Sequence, residues 1–129
     1  MIVVDASVWI DFFRGASSRE KEILKGALES FNRIALCGPV LQEVLQGIRD
    51  DREHKIQLLR FSKFPYLEAT RRTWSRASSL YRGMRRRGFT LGAFDTIIAA
   101  VCLENNLPLL TSDRQGFLPL AHFAGLRRA

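Results

Sequence analysis

A chain of 129 residues, 47% of them hydrophobic, is the size of one ordinary domain and can bury a core without disulfides or a structural metal. Twenty Lys and Arg against 13 Asp and Glu give a formal charge of +7, which suits a polyanionic partner or serves solubility alone. No apolar run approaches the ~20 residues of a membrane span, and Asp5 falls where a secretory leader would be apolar, so the chain reads as cytoplasmic.

In chain order, Met1–Val4 is a β-branched strand, followed by a short helix over Ser7–Arg14 that Gly15 stops. Ser17 or Ser18 can cap a helix reaching about Phe31, with Glu20 and Glu22 in its first turn. Arg33–Cys37 is a second strand. Gly38-Pro39 opens a helix to about Ile48, with proline at the start, and Asp50–Phe61 forms another with an acidic first turn. Phe64–Leu67 reads as a third strand. Thr70 caps a long helix over Arg71–Arg87 that ends at Gly88. Thr90–Asn105 places Phe94, Ile97, Ile98 and Val101 on one helical face. Leu107–Thr111 is a fourth strand and His122–Leu126 a short fifth one. This alternation predicts a single α/β domain, three layers deep (α/β/α), around a mostly parallel sheet of four to five strands.

Four acids sit against core-forming segments. Asp5 ends Ile2-Val3-Val4, Glu43 lies inside Val40-Leu41-Gln42-Glu43-Val44-Leu45, Asp95 opens Thr96-Ile97-Ile98, and Asp113 follows Leu109-Leu110-Thr111-Ser112. A carboxylate beside apolar residues loses hydration unless something compensates. Each has a plain reading: a helix-start acid for Asp95, an exposed helix residue for Glu43. Together they fall at strand ends and helix starts, the edge where open parallel sheets bind ligands. A shared hard cation, Mg²⁺ or Mn²⁺, is the simplest way to stabilise them, and such ions assist phosphodiester hydrolysis. His54 and His122 are isolated and provide no zinc set. Cys37 and Cys102 lie in apolar segments and read as buried small hydrophobes.

These segments resemble the PIN-domain ribonucleases, specifically VapC-type toxins of toxin–antitoxin modules. The resemblance rests on Val4-Asp5-Ala6-Ser7-Val8-Trp9-Ile10-Asp11-Phe12, Pro39-Val40-Leu41-Gln42-Glu43-Val44-Leu45, Phe94-Asp95-Thr96-Ile97-Ile98-Ala99-Ala100 and Leu110-Thr111-Ser112-Asp113-Arg114, and spans essentially the whole chain. It implies a PIN fold and a Mg²⁺- or Mn²⁺-dependent endoribonuclease whose metal-binding and catalytic quartet is Asp5, Glu43, Asp95 and Asp113. It also implies RNA as substrate, a VapB-type antitoxin that inserts at the active site, and a homodimer. Arg114-Gln115-Gly116-Phe117 departs from the family pattern. It has one residue more than the usual spacing and Gly116 where a further acid is common, which leaves a second metal open.

Ser7 can support the Asp5 carboxylate or cap the first helix. Thr111 can support the same rim or be a plain strand residue. Arg82, Arg85, Arg86 and Arg87 suit a helix C-terminus and equally a ridge that binds RNA phosphates. Asp11 reads as a solvated or salt-bridged acid. Trp9 and Trp74 are assigned to packing or an interface rather than to base stacking. A haloacid-dehalogenase-like phosphatase would need a second aspartate where Ser7 stands. A receiver domain would need an acidic pair at strand one. A non-catalytic RNA-binding relative is expected to have lost acids, and all four are present.

Overall fold

The computed structural model describes residues 1–30 and 33–129. The apolar runs form four short parallel strands: β1 (Ile2–Val4), β2 (Ile34–Cys37), β3 (Tyr66–Leu67) and β4 (Leu109–Leu110). Their spatial order is β3-β2-β1-β4. Ile2 lies opposite Ile34, Val3 opposite Leu109 and Leu36 opposite Tyr66. Val3, Val4 and all of β2 are buried, as expected of parallel strands covered on both faces by helices. The first three strands are laid down in one direction from β1, and β4 then joins on β1's other side. The order therefore reverses between β1 and β4. At such a switch point the connections leave in opposite directions and open a crevice at the carboxyl edge.

Helices α1 (Ala6–Phe13) and α2 (Arg19–Ala27) connect β1 to β2, and α3 (Gly38–Gln46) and α4 (Asp51–Phe61) connect β2 to β3. Helices α5 (Arg71–Arg86) and α6 (Ala93–Glu104) connect β3 to β4, and α7 (Arg114–Ala124) follows. Their ends obey local chemistry. Gly15, at φ +74°, ends the turn after α1. Ser18 accepts the Lys21 amide at 3.0 Å and Asp50 the Glu53 amide at 2.9 Å. Thr70 and Thr73 cap α5 reciprocally. Buried Thr73 also donates to Glu104 at 2.7 Å, tying the start of α5 to the end of α6. Trp9 is fully buried, with its ring centroid 4.9 Å from Phe61 and 5.9 Å from Phe64. That aromatic cluster joins α1 to α4.

Strands β3 and β4 are shorter than the expected Phe64–Leu67 and Leu107–Thr111, and the helices and the last strand depart from the sequence expectation as well. Helix α2 ends at Ala27, because the chain turns at Leu28 and Glu29 and leaves the helix before Ser30; only the last expected residue, Phe31, lies outside the described residues. Helix α6 starts at Ala93 rather than Thr90, because Gly92 is still extended (φ −69°, ψ 147°). The fifth strand expected over His122–Leu126 is not formed, since most of that stretch is the end of α7. Edge pairing comes slightly later. The Leu109 amide donates to the Arg127 carbonyl and the Ala129 amide to the Leu109 carbonyl, both at 2.9 Å, so the chain end runs along the outer side of β4.

Candidate active site

Asp5 stands at the carboxyl end of β1, next to the switch point, and its backbone amide donates to the Leu110 carbonyl at 2.8 Å. It is only 7% exposed. Two hydroxyls hold one of its oxygens: Ser7 Oγ donates to Oδ2 at 2.8 Å and Thr111 Oγ1 at 2.9 Å. Neither hydroxyl is occupied by that bond alone. Ser7 Oγ accepts the Ser112 amide at 3.1 Å, and Thr111 Oγ1 accepts the Asp113 amide at 3.0 Å. The segment after β4 is thus fastened to the Asp5 carboxylate through two side chains. A hydroxyl that donates to a carboxylate while accepting from an amide has its direction fixed, and the carboxylate is oriented with it.

Ser7 lies inside α1, where Asp5 is the N-cap residue with no side-chain cap bond, so the capping reading of Ser7 falls. Thr111 is buried just past β4 rather than paired within it. Asp11 accepts Ser112 Oγ at 3.0 Å and belongs to the rim of this network.

Glu43 and Asp95 come from the two helices that pass the same edge. Glu43 lies in the second turn of α3 and is partly buried. Burial pushes its carboxyl above the usual range, and the charges of Asp5 and Asp95 push it further. Asp95, in the first turn of α6, is raised in the same way by burial, then by Asp5 and Asp113, with the Gly92 backbone opposing. Gly92 matters sterically too, because a Cβ there would lie 3.2 Å from Asp95 Oδ2. Asp113 is exposed and caps α7, accepting the Gly116 amide at 3.0 Å. Glu43 therefore feels Asp5 and Asp95, and Asp95 feels Asp5 and Asp113. Cys37, at the end of β2, is buried beside them with its thiol pushed up to about 11 by desolvation and by Asp5 and Glu43. It is inert as a nucleophile at neutral pH, and its closeness to the acids had no signal in the sequence.

The donors are all oxygen, which fits a hard divalent ion and no soft one. Among the described residues no three His, Cys, Asp or Glu side chains are gathered closely enough to enclose an ion. What unites the four is their shared field. Carboxylates that repel one another at a partly buried edge are stabilised by a cation.

The arginines come from α5 and the residue after it. Arg82, Arg85, Arg86 and Arg87 are exposed on or just after the last turns of α5. The Arg87 guanidinium lies 4.1 Å from the centre of the Phe123 ring of α7. Arg114, beside Asp113, is engaged with Glu20 at 2.7 Å. Trp9 packs in the core as expected. Trp74 lies at the surface, 53% exposed on α5, which rules out core packing and not the interface alternative.

The fold is that of a parallel α/β domain with Asp5, Glu43 and Asp95 within electrostatic reach of one another near its switch point. The chain belongs to the PIN domain family, whose sequence profile matches residues 2–122. It is 30% identical over 132 residues to ribonuclease VapC11 of Mycobacterium tuberculosis, covering 100% of this chain and 98% of that one. Its fold is shared with VapBC2 from Rickettsia felis, solved bound to a promoter DNA fragment (TM-score 0.76, 17% identity, 100% and 98% of the two chains). The same holds for FitAcB from Neisseria gonorrhoeae (TM-score 0.77, 16% identity, 99% and 96%).

Proposed function

We propose that this protein is a metal-dependent endoribonuclease and the toxin of a VapBC-type toxin–antitoxin pair. Asp5, Glu43, Asp95 and Asp113 form its metal-holding, catalytic quartet, and Mg²⁺ or Mn²⁺ is the cofactor. The observation that carries the reading is the placement of Glu43 and Asp95 by the switch-point edge, where burial first and the charges of neighbouring acids second hold both carboxyls above the usual range. The full-length likeness to a named VapC ribonuclease supports RNA as the substrate.

A bound divalent ion supplies Lewis acidity and favours deprotonation of the attacking water. The chain's own residues do the positioning. Ser7 and Thr111 fix the direction of the Asp5 carboxylate, and such supporting hydrogen bonds tune a ligand nearly as strongly as the ligand itself. Thr111 and the Asp113–Gly116 cap set where the fourth acid starts. The phosphodiester then lies across the acids with its phosphorus in line between attacking water and departing ribose oxygen. A surplus of basic side chains holds the flanking backbone.

The partner assignments follow from the same reading. A VapB-type antitoxin would place basic side chains against the quartet. Phe13 on α1 and Ile56, Leu58 and Leu59 on α4 are exposed, and exposed apolar side chains of that size suit contact with the antitoxin or a second copy of the chain. No helix among the described residues is long and apolar enough to cross a membrane.

The test is to incubate purified protein with a mixed RNA pool and Mg²⁺ or Mn²⁺, beside Asp5→Asn and Asp95→Asn. Cleavage by the wild type and a drop of at least about a hundredfold in both variants is expected, the scale seen when a transition-state electrostatic contact is removed. Equal cleavage by all three proteins would sink the assignment.

A further inference from the structure

A recess lined by residues adjacent in sequence to Glu43 and Asp95 is left unused by the proposed chemistry. It has a volume of about 280 Å³ and is walled by Tyr66, Trp74 and Phe94, with Gln42 and Glu68 supplying polar groups. Its place in the fold is set by the acids' own neighbours, since Gln42 precedes Glu43 on α3 and Phe94 precedes Asp95 on α6. Trp74 and Tyr66 are 53% and 47% exposed, in contrast to Trp9, which is fully buried. Tyr66 leans against the start of α3, where its hydroxyl lies 3.1 Å from the position a Cβ on Gly38 would take. Two large aromatic side chains are thus held at the surface on secondary-structure elements and face a recess near the lower size limit of small-ligand sites.

We infer that this recess binds one nucleobase of the RNA, stacked against Trp74 and Tyr66, next to the phosphate held at the quartet. The inference rests on the nuclease reading and specifies how that site selects its substrate. Aromatic side chains on rigid elements are the usual platform for unpaired bases, because every base offers a π face. The polar groups fit a base better than a phosphate. Glu68 is an exposed acceptor that would repel a phosphate but can take a hydrogen bond from an exocyclic amine. Gln42 has an amide that can pair with a base edge. Cations for the backbone stand close by: Arg71 and Arg72 are exposed in the first turn of α5. Arg82 lines an adjoining recess of about 400 Å³ that shares Trp74 as a wall.

Tryptophan fluorescence gives a direct readout, because Trp9 is in the core and Trp74 at the surface. Asp95→Asn protein, which would bind without turnover, is titrated with the ribotetranucleotides rA4 and rU4 and with an abasic tetraribonucleotide. Saturable quenching by the base-bearing strands is expected, with at least about tenfold weaker binding of the abasic one, the scale of a single base–aromatic stack. In otherwise wild-type protein, Trp74→Ala is expected to raise KM for a cleaved RNA about tenfold with kcat little changed, and Trp74→Phe to recover most of the loss. The proposal is overturned if the abasic strand quenches equally well, or if Trp74→Ala and Tyr66→Ala leave KM and cleavage positions unchanged. It is also overturned if Trp74 emission ignores RNA but shifts on dilution, which would make this face a contact between two copies. Base-dependent quenching by a protein that cleaves no RNA would defeat the nuclease reading and leave the base pocket standing.

Discussion

Asp95 and Glu43 each have a carboxyl raised above its ordinary range by burial first and by neighbouring acids second. The folded protein holds these protons more tightly than the unfolded chain, so stability falls as pH rises from the unfolded pKa through the folded one. The metal-free protein is therefore expected to be more stable at mildly acidic pH than at neutral pH. Asp95→Asn should raise its neutral-pH Tm by about 2–5 °C while removing cleavage. Added Mg²⁺ or Mn²⁺ should raise the wild-type Tm and the variant's much less, as linkage to a ligand of the folded state requires. Calorimetry with and without metal checks both, and a variant less stable than wild type without metal would contradict the repulsion. The acids were legible in the sequence because each interrupts an apolar segment. Ser7 and Thr111 were legible as supports of that rim, but the full set of bonds they make was not. Ser7 Oγ meets the Ser112 amide, and Thr111 Oγ1 meets Asp5 Oδ2, across more than a hundred residues of chain. A hydroxyl in a sequence does not name its partner. Ser7→Ala and Thr111→Val, separately, are expected to lower metal affinity or turnover about 10- to 100-fold, measured by metal titration of the cleavage rate. Full activity in both would remove them from the site.

Helix α7 is where sequence reading and fold part company, and the reason lies in two residues. The sequence suggests a short strand over His122–Leu126, and on propensity alone Gly116 and Pro119 disfavour a helix before it, yet α7 runs through both. Pro119 does remove an amide from the helix, a cost of about 3 kcal/mol in a helix interior. Phe117, Pro119 and Leu120 are nonetheless buried, and each large apolar side chain buried contributes about 1.5–3 kcal/mol. Burial thus outweighs the missing hydrogen bond, and local pattern loses to tertiary packing. The rest of the sheet was readable because β-branched runs and glycine stops agree with the final packing at β1, β2 and α1. Gly116 has a separate consequence. A Cβ there would fall 2.2 Å from Asp113 Oδ2 and 2.8 Å from its Cγ, so the glycine is what lets Asp113 turn back to cap α7. Gly116→Ala forces the carboxylate out. It forfeits an N-cap worth about 1 kcal/mol and gains a similar amount of helix propensity. Stability is therefore expected to change by less than about 1 kcal/mol, while cleavage falls as Asp113 is displaced. Urea unfolding and a cleavage assay on one preparation separate the two effects. Unchanged cleavage would mean that the Asp113 carboxylate has no part in turnover.

The formal charge of +7 is a property of the whole chain, and the fold decides how it is spent. The acids gather at the switch-point edge, while Arg85 and Arg86 stand exposed at the end of α5 and Arg87 lies against Phe123. Two roles for this arginine group fit the sequence equally. Cations near a helix C-terminus stabilise it by about 0.3–1 kcal/mol. Cations that meet RNA phosphates release counterions instead, and each phosphate neutralised on a single strand contributes about 0.7 to the slope of log affinity against log salt. The roles separate in one double variant, Arg85→Ala with Arg86→Ala, made in the Asp95→Asn background so that bound RNA is not cut. If the arginines hold phosphate, RNA affinity measured between about 50 and 200 mM salt should lose about 1.4 from its slope, with Tm nearly unchanged. If they serve only the helix end, the slope should stay as it was and Tm should fall by about 1–5 °C. Exposure at the end of a long helix, unmatched by any ion pair found among the described residues, favours the phosphate role. The slope is the quantity that decides, because helix stabilisation within the free protein has no counterions of RNA to release.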